Sequence, residues 1–501
     1  MNYRKKSFLN FLGSTASHLT TILMGVLLPR LYIVSYGSQV NGLLSGLNQL
    51  MVYLGLFEVG IGTMALQALY GPIARDDWNG INGVMSATRR YHRKTAVMYG
   101  ATLLLLAFVY PVVVETGLSY SEVFACIVLS GVSGVVTFWT YGKFRIFLRA
   151  DGRNYVLYNL TTVITLLTNI SKIVLIANGL DVIAVLSAAA VLQIVPAAYL
   201  SIYVARYYPR MDFSVPPCYE AISQRNYTMI QQISTLIFRN TDALLLTLFC
   251  GLNTVSVYSV YRMITSHLEN LIAVLQSSVG FALGQTFHVD RKRFIRQIDC
   301  YERIYSAVSF AVFSVTLYFM LPFMRLYTRG IEDVEYVDGK LALLFVAVSL
   351  LTTMRSPMLS TINYAGHFKQ TAGRCIAESV INLVVSIAAI LRFGIYGALI
   401  GTIAALFYRT NDIIIYANRV ILKRSPLHTY SIYAENFALF LIFQWLYRWM
   451  RAPESYLEFF LYGTVVTTVT LGSFLGVHYA RSSVLRAIVK KEIRKRFHKI
   501  R

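Results

Sequence analysis

The sequence predicts an all-α polytopic membrane protein with about fourteen transmembrane helices. Composition is the first reason: 56% of the 501 residues are hydrophobic, 14% are charged, and the mean hydropathy is +0.54. A soluble globular chain carries roughly 25% charged residues. Distribution is the second. The apolar residues fall in runs of about twenty or more, broken by short polar or basic stretches, as expected of helices crossing a hydrocarbon layer about 30 Å thick.

Taken in order, the first span covers 7–36, behind the basic start Arg4, Lys5 and Lys6. Its apolar run lasts a full span and shows no small-residue cleavage site, so it reads as a transmembrane helix and not as a signal peptide. The next five cover 41–70, 82–114, 121–147, 154–178 and 182–207, separated by the basic stretches 75–94 and 143–153 on one side and by short neutral or acidic turns on the other. A second set of six covers 222–250, 254–287, 294–326, 340–366, 370–391 and 395–422, and two more spans, 431–447 and 455–479, follow.

Positive charge orients these spans. Of the 46 Lys and Arg, six (Arg325, Arg329, Lys340, Arg392, Arg448, Arg451) fall on one side and six (Arg30, Lys172, Arg239, Arg262, Arg355, Arg409) inside the membrane. All the others fall on the opposite side, which is therefore cytoplasmic and holds both termini. The basic tail "RSSVLRAIVKKEIRKRFHKIR" is accounted for by this topogenic charge; laid on anionic lipid as an amphipathic helix, it would turn Leu485, Ile488, Val489 and Phe497 inward.

The two sets of six spans read as a repeat. "YGSQVNGLLSG" after the first span parallels "CGLNTVSVYSV" after the seventh, and Asp77 to Arg90 parallels Asp290 to Arg303, with separations that agree to within one residue. Six spans per set restore the starting side, so the halves share orientation and a cavity is expected between two bundles. The expected organisation is an N-terminal six-helix bundle at 1–208, a proline-containing cytoplasmic linker at 209–221, a C-terminal six-helix bundle at 222–425, two additional helices at 426–480 and a basic tail at 481–501.

A cation at the bilayer centre costs on the order of 2.5–3.5 kcal/mol, so buried ones must face protein, water or ligand. Arg239 and Asp242 stand at i and i+3 on one helix face, and Arg409 with Asp412 repeats the spacing. Tyr258, Arg262, Thr265 and Glu269 form one polar stripe on the eighth span, and Glu58, Glu378 and Asn382 add polar atoms. The pairs either lock helices together or serve a ligand. Arg30, Lys172 and Arg355 have no acid within helical reach in their own segments, and Arg262 has only Glu269 two turns away. A surplus of cations points to an anionic ligand, for which Arg suits bidentate phosphate contact. Expected substrate contacts are therefore Arg30, Lys172, Arg239, Arg262, Arg355 and Tyr258, with Tyr261 also lining the cavity; Glu58, Asp242, Glu269, Glu378, Arg409 and Asp412 are coupling or structural charges.

The run "RLYIVSYGSQVNGLLSGLNQLMVYLGLFEVGIGTMALQALYGPIA" resembles the first two helices of polysaccharide-export (O-antigen, Wzx-type) flippases, in the MOP superfamily that also holds the multidrug and toxin extrusion (MATE) transporters. "ADGRNYVLYNL", "RNTDALLLTLFCGLNTVSVYSVY" and "NYAGHFKQTAGRCIAESVINLVVSIAAILRFGIYGALIGTIAA" agree in the same order. Arg30, Gly37, Glu58, Gly60, Gly62, Asp151, Asp242, Tyr258, Glu378, Asn382, Gly397 and Gly401 sit at the pattern's typical positions. Arg239 departs from it, which leaves it specific to this protein's substrate or a local partner of Asp242. The resemblance implies a MATE-like fold and alternating-access flipping of an oligosaccharide on a polyprenyl (pyro)phosphate carrier across a bacterial inner membrane. The two extra helices would give a groove for the prenyl tail or a dock for biosynthetic partners.

A cation-coupled multidrug antiporter of the same fold would need acidic cavity charges. A lipid II flippase is chemically close, and a membrane-embedded polysaccharide polymerase or ligase would need a larger outer loop than "TRGIEDVEYVDGK". No enzyme activity, metal, cofactor or nucleic acid is expected: Cys126, Cys218, Cys250, Cys300 and Cys375 are scattered singly, and no phosphate-binding glycine loop occurs. The expected partners are the lipid-linked oligosaccharide, membrane lipids and polysaccharide biosynthesis proteins. Coupling to H+, Na+ or the membrane potential stays open.

Overall fold

The computed structural model describes residues 3–58, 61–219, 226–482 and 486, which are overwhelmingly helical and include no strand. Gly60, the end of the expected linker and the tail face at Leu485, Ile488, Val489 and Phe497 lie outside these residues. Among the described residues, 11 helical stretches are long and apolar enough to cross a membrane, which makes this a multi-pass membrane protein.

The difference from fourteen has physical causes. The first two expected spans run into one another as α1 (Tyr3–Leu54), bent where Gly37 takes φ 83°. Helices α10 (Leu252–Val289) and α16 (Leu427–Tyr447) are long enough to span, but the stripe from Tyr258 to Glu269 on one and Glu435, Asn436 and Gln444 on the other make them too polar to count by composition.

The chain forms two compact units, residues 1–259 and 260–501. In the first, α1 is followed by α2 (Ile61–Ala74), α3 (Trp78–Val113) and α4 (Tyr120–Val136), which passes through a π turn into α5 (Gly142–Ala150). Then come α6 (Asn154–Ala177), α7 (Val182–Leu192), α8 (Val195–Tyr207), α9 (Asn226–Cys250) and the start of α10. Leu43 and Leu47 of α1 pack with Tyr99 and Leu103 of α3 in its core. The segment after α8 is not helical, consistent with Pro209, Pro216 and Pro217. It is held to α3: Asn82 Nδ2 donates to Arg210 O at 3.0 Å and Asn82 Oδ1 accepts from Asp212 N at 3.1 Å. Nearby, the Ser214 hydroxyl and backbone N–H donate to Asp212 and hold its carboxyl below the usual range.

The second unit contains the rest of α10, then α11 (Arg291–Tyr327), α12 (Gly339–Met354), α13 (Ser356–Tyr364), α14 (Phe368–Phe393), α15 (Ile395–Tyr416), α16 and α17 (Tyr456–Arg481). The last two helices are tied to the unit by polar as well as apolar contacts. Gln444 Nε2 donates to Ser314 O at 2.9 Å, Asn436 Nδ2 to Ser306 Oγ at 3.2 Å, and Tyr447 Oη meets Thr470 Oγ1 at 2.6 Å. Phe310, Phe313, Phe440 and Phe474 fill the space between these contacts.

The sequence repeat has a local structural counterpart. Gly37 and Gly251, paired by that repeat, both take positive φ, at 83° and 80°, a region where a side chain would be strained. Asp77 and Asp290 both cap long helices, accepting from Gly80 N at 3.0 Å and Arg293 N at 2.9 Å.

Candidate functional site

In the second unit the buried charges gather around a break in a membrane helix. Pro357 cannot donate a backbone hydrogen bond and sits in the first turn of a new helix, where none is required, so α12 ends and α13 begins at Arg355. The Arg355 guanidinium reaches across to Glu378 of α14. Arg409 of α15, 1% exposed, stands with Nε 3.6 Å from the second Glu378 oxygen. It also pairs with Asp412 one turn away and donates from Nη2 to Cys375 Sγ at 3.2 Å. Arg374 takes the other Asp412 oxygen. Three guanidinium groups therefore meet two carboxylates, and one turn along α14 Asn382 Nδ2 donates to Thr402 Oγ1 at 2.9 Å.

The polar stripe of α10 is compensated too. Arg262 Nη1 donates to Glu269 Oε1 at 2.9 Å, and Ser349 of α12 donates to the same oxygen at 2.7 Å. Tyr261 differs from its expected place in a cavity: it is fully buried, donates to Tyr336 O at 2.8 Å and Asp338 O at 3.1 Å, and stacks on Phe345 at 5.4 Å. Its ring fills the wall and its hydroxyl ties down the loop before α12, leaving nothing to offer a ligand.

In the first unit Asp242 is buried while Arg239, at the same spacing as the Arg409 and Asp412 pair, is exposed. Tyr258 Oη donates to Asp242 Oδ2 at 3.2 Å. Because hydrogen bonds to a charged group contribute about 1.5–3 kcal/mol, Tyr258→Phe is expected to lower stability by that order, read as a fall in the midpoint of thermal unfolding in detergent. Glu58 lies in the short turn after α1, 3.8 Å from His92 Nε2. Arg30 is half-buried on α1, and Lys172 of α6 lines a cavity of about 240 Å³.

Some site members had no sequence signal. Arg374, Cys375 and Ser349 reach the charges from other helices. Asp299, Glu302 and His428 also converge, with ligand atoms within 4.8 Å of one another. Arg424 already binds Asp299 and donates to Glu302 at 2.9 Å, so a fixed cation occupies the position a metal would take. A separate, mainly apolar cavity of about 430 Å³ lies among α12, α15 and α16, lined by Leu350, Leu351, Met354, Phe407, Tyr433 and Phe437.

This is the fold of the MOP-superfamily transporters. An inward-facing multidrug resistance MATE family transporter matches with TM-score 0.60 and 14% identity over 81% of this chain and 95% of its own. The lipid II flippase MurJ, in an inward closed conformation, matches with TM-score 0.65 and 12% identity over 94% of this chain and 99% of its own. An outward-facing MATE family transporter matches with TM-score 0.52 and 14% identity over 84% and 97%. At these identities the likeness is one of fold. Neither a protein-family model nor a curated protein matches the sequence.

Proposed function

We propose that this protein is a flippase that moves a polyprenyl-(pyro)phosphate-linked oligosaccharide from the cytoplasmic to the outer leaflet of a bacterial inner membrane, by alternating access, for cell-surface polysaccharide biosynthesis. The observation that carries the reading is the extent of the likeness: the lipid II flippase structure covers 94% of this chain, against 81% and 84% for the two MATE transporters. Arginine within the helices supports it, since Arg409 is buried, Arg262 and Arg355 are partly buried, and all three are of the residue type that binds phosphate bidentately. The apolar cavity beside α16 supports a berth for the prenyl tail. Both termini are cytoplasmic in this reading, and an inside-negative potential would favour outward movement of the anion by about 2.3 kcal/mol per charge per 100 mV.

In this account Arg30 of the first unit and Arg262 of the second are each required for handling the anionic carrier, and the acids Glu269, Glu378 and Asp412 hold the arginines of the second unit in place between substrates. A lipid II flippase is the second reading, favoured by the same extended likeness. Proteoliposomes containing the native protein and either a fluorescent polyprenyl-pyrophosphate oligosaccharide or fluorescent lipid II separate the two. Movement of the first alone supports the proposal and movement of lipid II alone supports the second. Failure of both, with cation-driven efflux of a dye, would overturn flipping in favour of drug antiport.

A further inference from the structure

Lys172 stands apart from the compensated arginines. No carboxylate lies within ion-pair distance of it among the described residues, and, itself half-buried, it lines the partly open 240 Å³ cavity bordered by α1, α4, α6 and α7. Tyr32 and Thr168, which line the same cavity, are 6% and 7% exposed, and the Tyr32 Oη and Thr168 Oγ1 atoms are buried without a hydrogen-bond partner. Ser133 and Gln193 add polar groups, and no acid contributes to the wall.

An uncompensated ammonium at membrane depth is costly, and so is each buried hydroxyl left without a partner, at about 1–3 kcal/mol. One occupant relieves all three groups: an anion that accepts from Lys172 Nζ, Tyr32 Oη and Thr168 Oγ1. Water would satisfy the hydroxyls and leave the charge uncompensated. A metal cation would meet an ammonium and no carboxylate. The volume leaves no room for an oligosaccharide. We infer that this cavity is a binding site for a small inorganic anion of chloride type, held inside the first unit and distinct from the contacts made to the carrier lipid. The inference separates Lys172 from the substrate cations and stands independently of the flippase reading, because its ligand is tested without any lipid.

The test uses the purified full-length protein in a neutral detergent, with its thermal unfolding midpoint followed as chloride replaces gluconate at constant sodium and ionic strength. A saturable rise with chloride is expected, because a ligand that binds only the folded state stabilises it by mass action. Bromide should act similarly, and inorganic phosphate serves as a second arm that tells a halide site from an oxyanion site. Lys172→Gln should abolish the chloride-specific rise. Tyr32→Phe and Thr168→Val, which change little in volume, should each shift the half-saturating chloride concentration upward about tenfold, so the result does not depend on the lysine variant folding. An equal response to chloride and gluconate, a response to phosphate alone, or an undiminished chloride response in Lys172→Gln and both hydroxyl variants would overturn the chloride site.

Discussion

Replacing Arg409 with methionine is expected to lower stability by up to about 3–5 kcal/mol, the cost of removing one member of a buried ion pair, reduced to the extent that Arg355 and Arg374 still compensate the two carboxylates. Arg409 is 1% exposed and connects the two carboxylates of its network, lying 3.6 Å from Glu378 and paired with Asp412. Without it, Glu378 keeps Arg355, Asp412 keeps Arg374, and Cys375 Sγ loses its donor. The double variant Arg409→Met with Asp412→Leu should recover none of the loss, since it takes the carboxylate from Arg374 as well. Thermal unfolding in detergent at fixed salt reads both effects. A loss below about 1 kcal/mol would show that the guanidinium is readily replaced.

Gly401→Leu is expected to have an effect of comparable size from a different cause. Helices α14 and α15 pack so closely there that a Cβ on Gly401 would stand 2.1 Å from Ser386 Oγ and 2.5 Å from Ser386 N. Backbone cannot turn aside as a long side chain can, so the helices must separate. The cost belongs at or above the upper end of the usual range for overpacking, about 1–3 kcal/mol. Separation would also strain the Asn382 to Thr402 hydrogen bond and the link from Arg409 to Cys375, both of which cross the same interface. Size-exclusion profiles and unfolding midpoints should show destabilisation for Gly401→Leu and little for Gly463→Leu, where a Cβ meets nothing within 4 Å. Equal behaviour of the two variants would mean that the interface tolerates a side chain.

The features legible in the sequence are those that depend on neighbours along one helix. Apolar runs marked the membrane helices, and the spacings from Arg409 to Asp412 and from Arg262 to Glu269 anticipated contacts that the structure contains. The repeat paired two glycines that both take positive φ in the structure and two aspartates that both cap helices there. Contacts between helices were not legible. Nothing along α12 says that Arg355 meets Glu378 of α14, or that Ser349 reaches Glu269 of α10. Arg239 and Asp242 have the spacing of Arg409 and Asp412, yet Arg239 is exposed where Arg409 is buried, because spacing fixes a shared face and the surrounding helices decide its cover. Tyr261 illustrates the same limit: it was expected to line a cavity, and it is the packing against Phe345 and the loop at Asp338 that buries it.

Partly buried arginine holding the carrier phosphate is the central claim, and flipping by single-residue variants tests it most directly. Native protein, Arg30→Ala and Arg262→Ala are reconstituted at equal amounts with a fluorescent polyprenyl-pyrophosphate oligosaccharide, and Glu269→Gln is included to separate loss of the cation from loss of its partner. The account predicts rapid flipping by the native protein, loss of most activity in both arginine variants, and activity retained in Glu269→Gln, where the guanidinium remains. Native-like flipping by both arginine variants would contradict it and leave the buried charges with a structural role alone.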